Sequence, residues 1–461
     1  MTIIAFTLLT VCIVIYLLYI YKKFNKSFPF LIIFLVYVFW GMYSIIYIDN
    51  GTYISEQKIN SYFTGASIKL ILILLPLLIT TPIFFKRLYK RETKKENKES
   101  NEEKLNFINY KTIKYIQIFS IAVLLYLYIN LIISGIPLFD GKKITNFNFY
   151  EKYSKLPLAS KIQSFFLMFN LVLNGIILSD SKFNKRNKII AIVIYILSIG
   201  FRVLCNEKFY PFFVYTVYFF IPTIMKYFSK ERDIKEERKF LLKIGSIAVT
   251  TFFIFVGIVM IKYNIRRTTN PWDRFRNRAF SLQAHLFWGY DNYLERNDKT
   301  GINFENIKNE IVGGIGKTSK FDKNIGVTKI MYLVSPKGLV DGYMKNMTRF
   351  YSGYWTVCIG CYGYFGTSLY SVFVGLLIAF YSVKFAKAIE SKNFIKIFIT
   401  SSTYYVIFQY FNEANYSYLF SIRMLIFTLI LVNEDFFEKK FNQIAGYIKK
   451  IIEEKNKAKV N

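Results

Sequence analysis

The chain has 461 residues, is 53% apolar with a mean hydropathy of +0.29, and still carries a formal net charge of +31. Its repeated apolar stretches of about 20 residues match the length of helix that crosses a hydrocarbon core. They exclude the two or three water-soluble domains this length would otherwise suggest and point to one all-α polytopic membrane bundle.

Eleven segments qualify as spans: roughly 2–21, 28–48, 64–85, 112–134, 159–179, 187–205, 209–227, 241–261, 352–381, 394–411 and 416–432. No basic residues precede the first and no small-residue cleavage pattern follows it, so it reads as a retained span rather than a cleaved signal. Aromatic residues gather at span ends, as in Tyr16, Tyr19 and Tyr21 or Trp40 and Tyr43, which suits an interfacial belt. The 352–381 run is rich in glycine, which suits a kink or a tilted entry, while Tyr, Ser and Asn dilute the last two segments. The organisation that follows is eight spans in 1–261, a large partly helical loop at 262–350, three spans in 351–433 and a tail at 434–461.

Charge orients this bundle. One set of connections holds Lys22, Lys23 and Lys26; the run from Lys86 to Lys114; Lys182, Lys185, Arg186 and Lys188; Lys226 to Lys243; and Lys384 to Lys396. The alternate short connections, Asp49 to Asn60, Asn206 to Lys208 and Asn412 to Tyr416, are poor in charge. The positive-inside rule puts the first set in the cytoplasm, with the N-terminus outside and the C-terminal tail inside. Two substantial connections then lie outside, 134–161 and 262–349. The second has 16 Lys and Arg against 8 Asp and Glu, but long translocated loops are largely exempt from the rule. The cytoplasmic run from Lys86 to Leu105 has mixed charge and no packing face, and reads as a solvated linker with some helix.

The outer loop opens with five arginines, Arg266, Arg267, Arg274, Arg276 and Arg278, within thirteen residues. Asn270 and Pro271 suit the start of a helix, on which Arg274 and Arg278 share one face and Arg276 points elsewhere. Arginine suits phosphate better than lysine does, because its planar fork binds bidentately and keeps its charge when partly buried. A solvated or headgroup-binding surface is the plainer alternative. His285, the only histidine, lies seven residues beyond Arg278 and near the same face if the helix persists. A lone histidine in an aromatic-rich context is more often structural; as a proton acceptor it is the first choice, with Asp273, Glu207 and Asp140 as competitors. Arg202 stands near the outer end of the sixth span beside Lys208, either snorkelling or facing a wet cavity, and Gly200 permits close approach of a helix or headgroup. The 134–161 segment adds Asp140, Lys142 and Lys143 among tyrosines and asparagines that suit sugars and phosphate. Further on, 328–355 mixes apolar and basic residues as an amphipathic helix or a packed loop would, with a turn at Pro336 and Gly338. The glycine-rich run at 311–318 lacks phosphate-loop spacing. No His/Asp/Glu set has metal-site spacing, and the Cys358/Cys361 pair lacks a second ligand pair, so neither metal nor cofactor is expected.

With these features the chain resembles the Wzy-type polymerases of bacterial O-antigen, lipopolysaccharide and capsular polysaccharide. The resemblance rests on the span number, the one very large outer loop, Gly135-Ile136-Pro137-Leu138-Phe139 after the fourth span, Gly200 to Arg202, and the arginine-rich loop opening. It implies a C-type glycosyltransferase-like fold in the cytoplasmic membrane, with undecaprenyl-pyrophosphate-linked oligosaccharides as substrates and an inverting transfer that releases undecaprenyl pyrophosphate. It further implies catalytic roles for Arg202, Arg274, Arg278 and His285, and substrate binding by Arg266, Arg267, Arg276, Lys142, Lys143, Lys208 and Asp140. Membrane lipids, a flippase and a chain-length regulator are the expected partners, and nucleic acid is not. An O-antigen ligase-like enzyme would need the same donor site, so the arginines do not discriminate against it. A transporter or flippase of lipid-linked anionic sugars expects paired broken helices deep in both halves, which the sequence lacks.

Overall fold

The computed structural model describes residues 2–98, 112–139, 149, 153–206, 209–228, 246, 250, 253, 256–257, 259–261, 270–316, 321–350, 352–434 and 436. Long helices dominate: α1 (Thr2–Lys23), α2 (Phe28–Asp49), α3 (Ala66–Lys98), α4 (Ile113–Ser134), α5 (Ala159–Ser179), α6 (Lys185–Leu204) and α7 (Phe209–Phe228). Five short ones follow, α8 (Pro271–Phe280), α9 (His285–Arg296), α10 (Phe304–Ile315), α11 (Gly326–Val334) and α12 (Lys337–Lys345). The described chain ends with α13 (Tyr354–Ser391), α14 (Phe394–Glu413) and α15 (Ile422–Val432). A two-residue-per-strand hairpin, β1 (Tyr53–Ile54) and β2 (Ile59–Asn60), pairs Tyr53 with Asn60 between α2 and α3. This is a mostly helical, multi-pass membrane protein, with seven helices long and apolar enough to cross among the described residues.

The expected spans coincide with helices except at two places. Most of 241–261 lies outside the described residues. The segment 416–432 is not one helix: a 3-10 turn at Tyr416–Tyr418 precedes α15, whose start is capped by the Ser421 hydroxyl accepting from the Met424 N–H. The glycine-rich run is kinked at Gly363, with φ +66° inside α13. The carbonyls of Gly360 and Cys361 accept from the Asn306 side chain (2.7 Å) and the Asn303 N–H (2.9 Å), which stitches the break to the start of α10.

Prolines and glycines set how the bundle closes. Pro82 within α3 cannot donate to the Leu78 carbonyl, and the Tyr16 hydroxyl of α1 donates to it instead at 2.7 Å. In a lipid core such a freed group must find a partner. Helix α3 runs along α13, where a Cβ on Gly375 would stand 2.8 Å from the Thr81 hydroxyl. Helices α5 and α7 cross more tightly still at Gly175, where a Cβ would stand 2.1 Å from the Phe219 carbonyl oxygen.

The lysine-rich connections share one end of the bundle. Lys384 bridges Glu92 (3.0 Å) and Glu434 (3.1 Å), Lys396 joins Glu434, and Lys392 and Lys226 converge on Asp180. Lys26 and Lys387 both lie over the Tyr89 ring. The described parts of the charge-poor connections and residues 270–316 and 321–350 gather at the other end. There Asp49 closes α2 onto α3 by accepting from the N–H and hydroxyl groups of Thr64 and Ser67. Lys69 reaches Asp291 at 2.9 Å, and Arg349 pairs with Glu413.

Candidate functional site

The arginine-bearing segment folds as expected for ten residues and then departs. Pro271 begins α8, and Asn270 precedes it in left-handed conformation with no side-chain cap. Arg274 and Arg278 share a face of α8, while Arg276 is exposed and pairs with Asp273 at 3.3 Å. The helix does not persist to His285. Trp40 Nε1 donates to the Ala279 carbonyl (2.5 Å), Ser44 Oγ donates to the Ser281 carbonyl (3.2 Å), and the Ala284 N–H donates back to Ser44 Oγ (3.1 Å). These bonds from α2 hold 281–284 as a turn, and α9 starts at His285.

His285 is therefore a joint residue, 1% exposed. Its Nδ1 stands 3.0 Å from the Leu282 carbonyl. A carbonyl only accepts, so Nδ1 carries the hydrogen and Nε2 carries the lone pair. Nε2 has no hydrogen-bond partner among the described residues. Burial holds the imidazole below its ordinary pKa against the opposing pull of the Glu56 carboxylate and the Leu282 carbonyl, which favours the neutral ring. Phe350 closes one side, its ring 5.0 Å away, and Tyr343 packs on Phe350 at 4.8 Å. Burial and Glu56 push the Tyr343 phenol up, and Arg278 and Arg274 pull it down. One neighbourhood thus collects Arg274, Arg278, His285, Glu56 and Tyr343.

Residues 320–428 match a family of unknown function (DUF6418). No curated protein and no solved structure matches the chain. The matched stretch contains Tyr343 and Phe350 and helices α11 to α14, whereas Arg274, Arg278 and His285 precede it.

Arg202 sits elsewhere in the bundle. It is 5% exposed, with its guanidinium 4.6 Å from the centre of the Tyr215 ring. Its helix packs on α4, α5 and α7, whereas α8 packs on α2. The Gly135–Phe139 motif does meet this helix end, through the Leu138 N–H donating to the Leu204 carbonyl at 3.1 Å. At Gly200 the close neighbour is another helix: the Tyr128 hydroxyl of α4 would lie 3.1 Å from a Cβ there. Arg266, Arg267, Asp140, Lys142, Lys143, Glu207 and Lys208 lie outside the described residues. Gly313 and Gly314 of the rejected phosphate loop are helical, in α10. The 328–355 segment forms two helices broken at Ser335, and α11 packs on α9 and α13. Cys358 and Cys361 are buried and free, and no metal-ligating cluster occurs among the described residues.

Reading along the chain missed Glu56 and its neighbours. The connection Ser55-Glu56-Gln57 served only as a charge-poor marker of orientation. Its link to the site spans 228 residues, from Gln57 Nε2 to the His285 carbonyl at 2.9 Å. A carboxylate in so short a connection between spans was the one available signal.

Proposed function

We propose that this protein polymerises undecaprenyl-pyrophosphate-linked oligosaccharide repeat units at the outer face of a bacterial cytoplasmic membrane. On this reading the fold is a C-type glycosyltransferase-like bundle of about eleven spans, with the N-terminus outside and the tail inside. The observation that carries it is His285, its Nδ1 hydrogen-bonded to the Leu282 carbonyl and its Nε2 unpartnered among the described residues, in one neighbourhood with two arginines of a common helix face.

The acceptor hydroxyl oxygen bonds to the donor's anomeric carbon as that carbon's bond to pyrophosphate breaks. The electron pair departs with undecaprenyl pyrophosphate, and the hydroxyl proton passes to His285 Nε2. Attack from the face opposite the leaving group inverts the anomeric centre. Arg274 and Arg278 neutralise the departing pyrophosphate, and orientation of two membrane-held substrates supplies much of the remaining acceleration. Arg202, buried over the Tyr215 ring, supports the arrangement of the bundle. The flippase that delivers repeat units and a chain-length regulator are the natural partners.

Purified protein in proteoliposomes, given lipid-linked repeat units of demonstrated competence, is expected to build a ladder of chain lengths on a gel. Absence of any elongation removes the polymerase assignment.

A further inference from the structure

The environment of His285 contains more polar groups than the transfer chemistry uses, and they point to a second role. Asn277 Nδ2 on α8 donates to Ser55 Oγ at 2.8 Å, and Ser55 Oγ in turn donates to Glu56 Oε2. Asn277 is the i+3 neighbour of Arg274 on α8. A hydrogen-bonded relay thus runs from the arginine face to the Glu56 carboxylate, which is 7% exposed. Gln57 donates its amide nitrogen to the His285 carbonyl, which fixes its Oε1 as an acceptor. Gln57 Oε1, Ser281 Oγ and His285 Nε2 are each buried, and none has a hydrogen-bond partner among the described residues. Buried polar groups are rarely left without partners. Three such groups in one joint, beside an oriented carboxylate, mark a place built to receive hydroxyl groups.

We infer that Glu56, Gln57, Ser281 and His285 form the subsite for the hydroxyl-bearing sugar at the acceptor's non-reducing end, with Glu56 as the positioning residue for His285. This assignment rests on the polymerase reading. The Ser281 hydroxyl donates to the sugar, Gln57 Oε1 accepts from it, and the reacting hydroxyl donates to His285 Nε2. Glu56 stabilises the imidazolium that forms when the proton arrives, without itself touching the reacting atoms. Entry of a sugar requires Phe350, whose ring packs against the imidazole, to move, because His285 is buried.

The experiment compares wild type with Glu56→Gln, which keeps the size and the Ser55 contact, and with Gln57→Leu, all first checked for monodisperse folding in detergent. Because His285 is the only histidine, nitrogen-15 NMR of histidine-labelled protein reads its titration without assignment. Glu56→Gln is expected to move that titration to lower pH, and an unchanged titration overturns the positioning role. In the polymerisation assay with preformed polymer as saturating donor, Gln57→Leu is expected to raise the KM for monomeric repeat unit roughly tenfold, as loss of a site's buried hydrogen-bonding partner does. The KM for polymer donor should not change. An unchanged acceptor KM in an elongating enzyme overturns the subsite and shows that the unpartnered atoms hold buried water only. Failure of wild type to elongate overturns the polymerase reading and the acceptor role with it, while the NMR comparison still decides whether Glu56 governs His285.

Discussion

Arg276 and Arg278 of the loop opening sit in different surroundings, and those surroundings rank them. Arg276 and Asp273 are each about two-thirds exposed, and such surface pairs contribute roughly 0–1 kcal/mol. Arg276→Ala is therefore expected to retain polymerisation and thermal stability. Arg278 is half-buried and acts on Tyr343 within the His285 neighbourhood. Arg278→Ala is expected to abolish chain growth in the proteoliposome assay while the protein still inserts and purifies normally. Equal effects of the two substitutions would remove the ranking. Protonation adds a second residue-scale expectation. The folded chain holds the His285 imidazole below its ordinary pKa of about 6.5. As pH falls through that value, the unfolded chain takes up a proton that the folded chain resists, so this contribution is present near neutrality and is lost on acidification. Glu310 opposes it: burial raises its carboxyl to about 7 despite the Gly326 N–H and Lys329. Between about pH 7 and the ordinary carboxylate range the folded chain binds this proton first, so stability grows as pH falls. Thermal melts of His285→Gln should show a larger gain on acidification than wild type, and those of Glu310→Gln a larger loss. Parallel profiles for all three proteins would contradict both assignments.

At the scale of elements, the end of the bundle that carries the candidate site is held by charged groups that reach between helices rather than by propensity. Asp291 of α9 is fully buried and accepts from Lys69 of α3 (2.9 Å) and the Tyr364 hydroxyl of α13 (2.6 Å). Lys69→Met leaves that carboxylate without its counter-charge, which costs about 3–5 kcal/mol. Its melting temperature should drop well below wild type, and adding Asp291→Asn should recover much of the loss. A double variant no more stable than Lys69→Met would show that the pair is not the main tie. Such ties also explain what could be read along the chain. Spans follow from local hydropathy, and the kink at Gly363 from a local excess of glycine. The break after Phe280 has no local marker, since Ser281, Leu282, Gln283 and Ala284 include neither glycine nor proline. Trp40 and Ser44 impose it from more than 230 residues away in sequence. The same non-locality hid Glu56, whose meaning depends on a hairpin docking under a helix joint. Lys69 was hidden differently, inside a span whose apolar residues outweighed one charge.

For the whole molecule, the decisive property is that charge and contact divide the chain into the same two ends. The lysine-rich connections are cross-linked through Asp180, Glu92, Glu434 and Tyr89, and the candidate site lies at the opposite end with 50–65, 270–316 and 321–350. In the orientation proposed from the positive-inside rule the site is extracytoplasmic, the side from which the proposed lipid-linked substrates would reach it. The cysteines allow a direct check, because Cys205, Cys358 and Cys361 are buried and only Cys12 is exposed. In a Cys12→Ser background, Asp298→Cys and Lys182→Cys put single reactive thiols on exposed positions at the two ends. A membrane-impermeant maleimide added to intact cells is expected to label the thiol at 298 at once and the one at 182 only after permeabilisation. The reverse order would turn the bundle over and expose the site to the cytoplasm, where nucleotide-activated sugars replace lipid-linked ones. Labelling of both positions in intact cells would break the two-ended arrangement itself, and with it the argument that His285, Arg274 and Arg278 meet their substrates from outside.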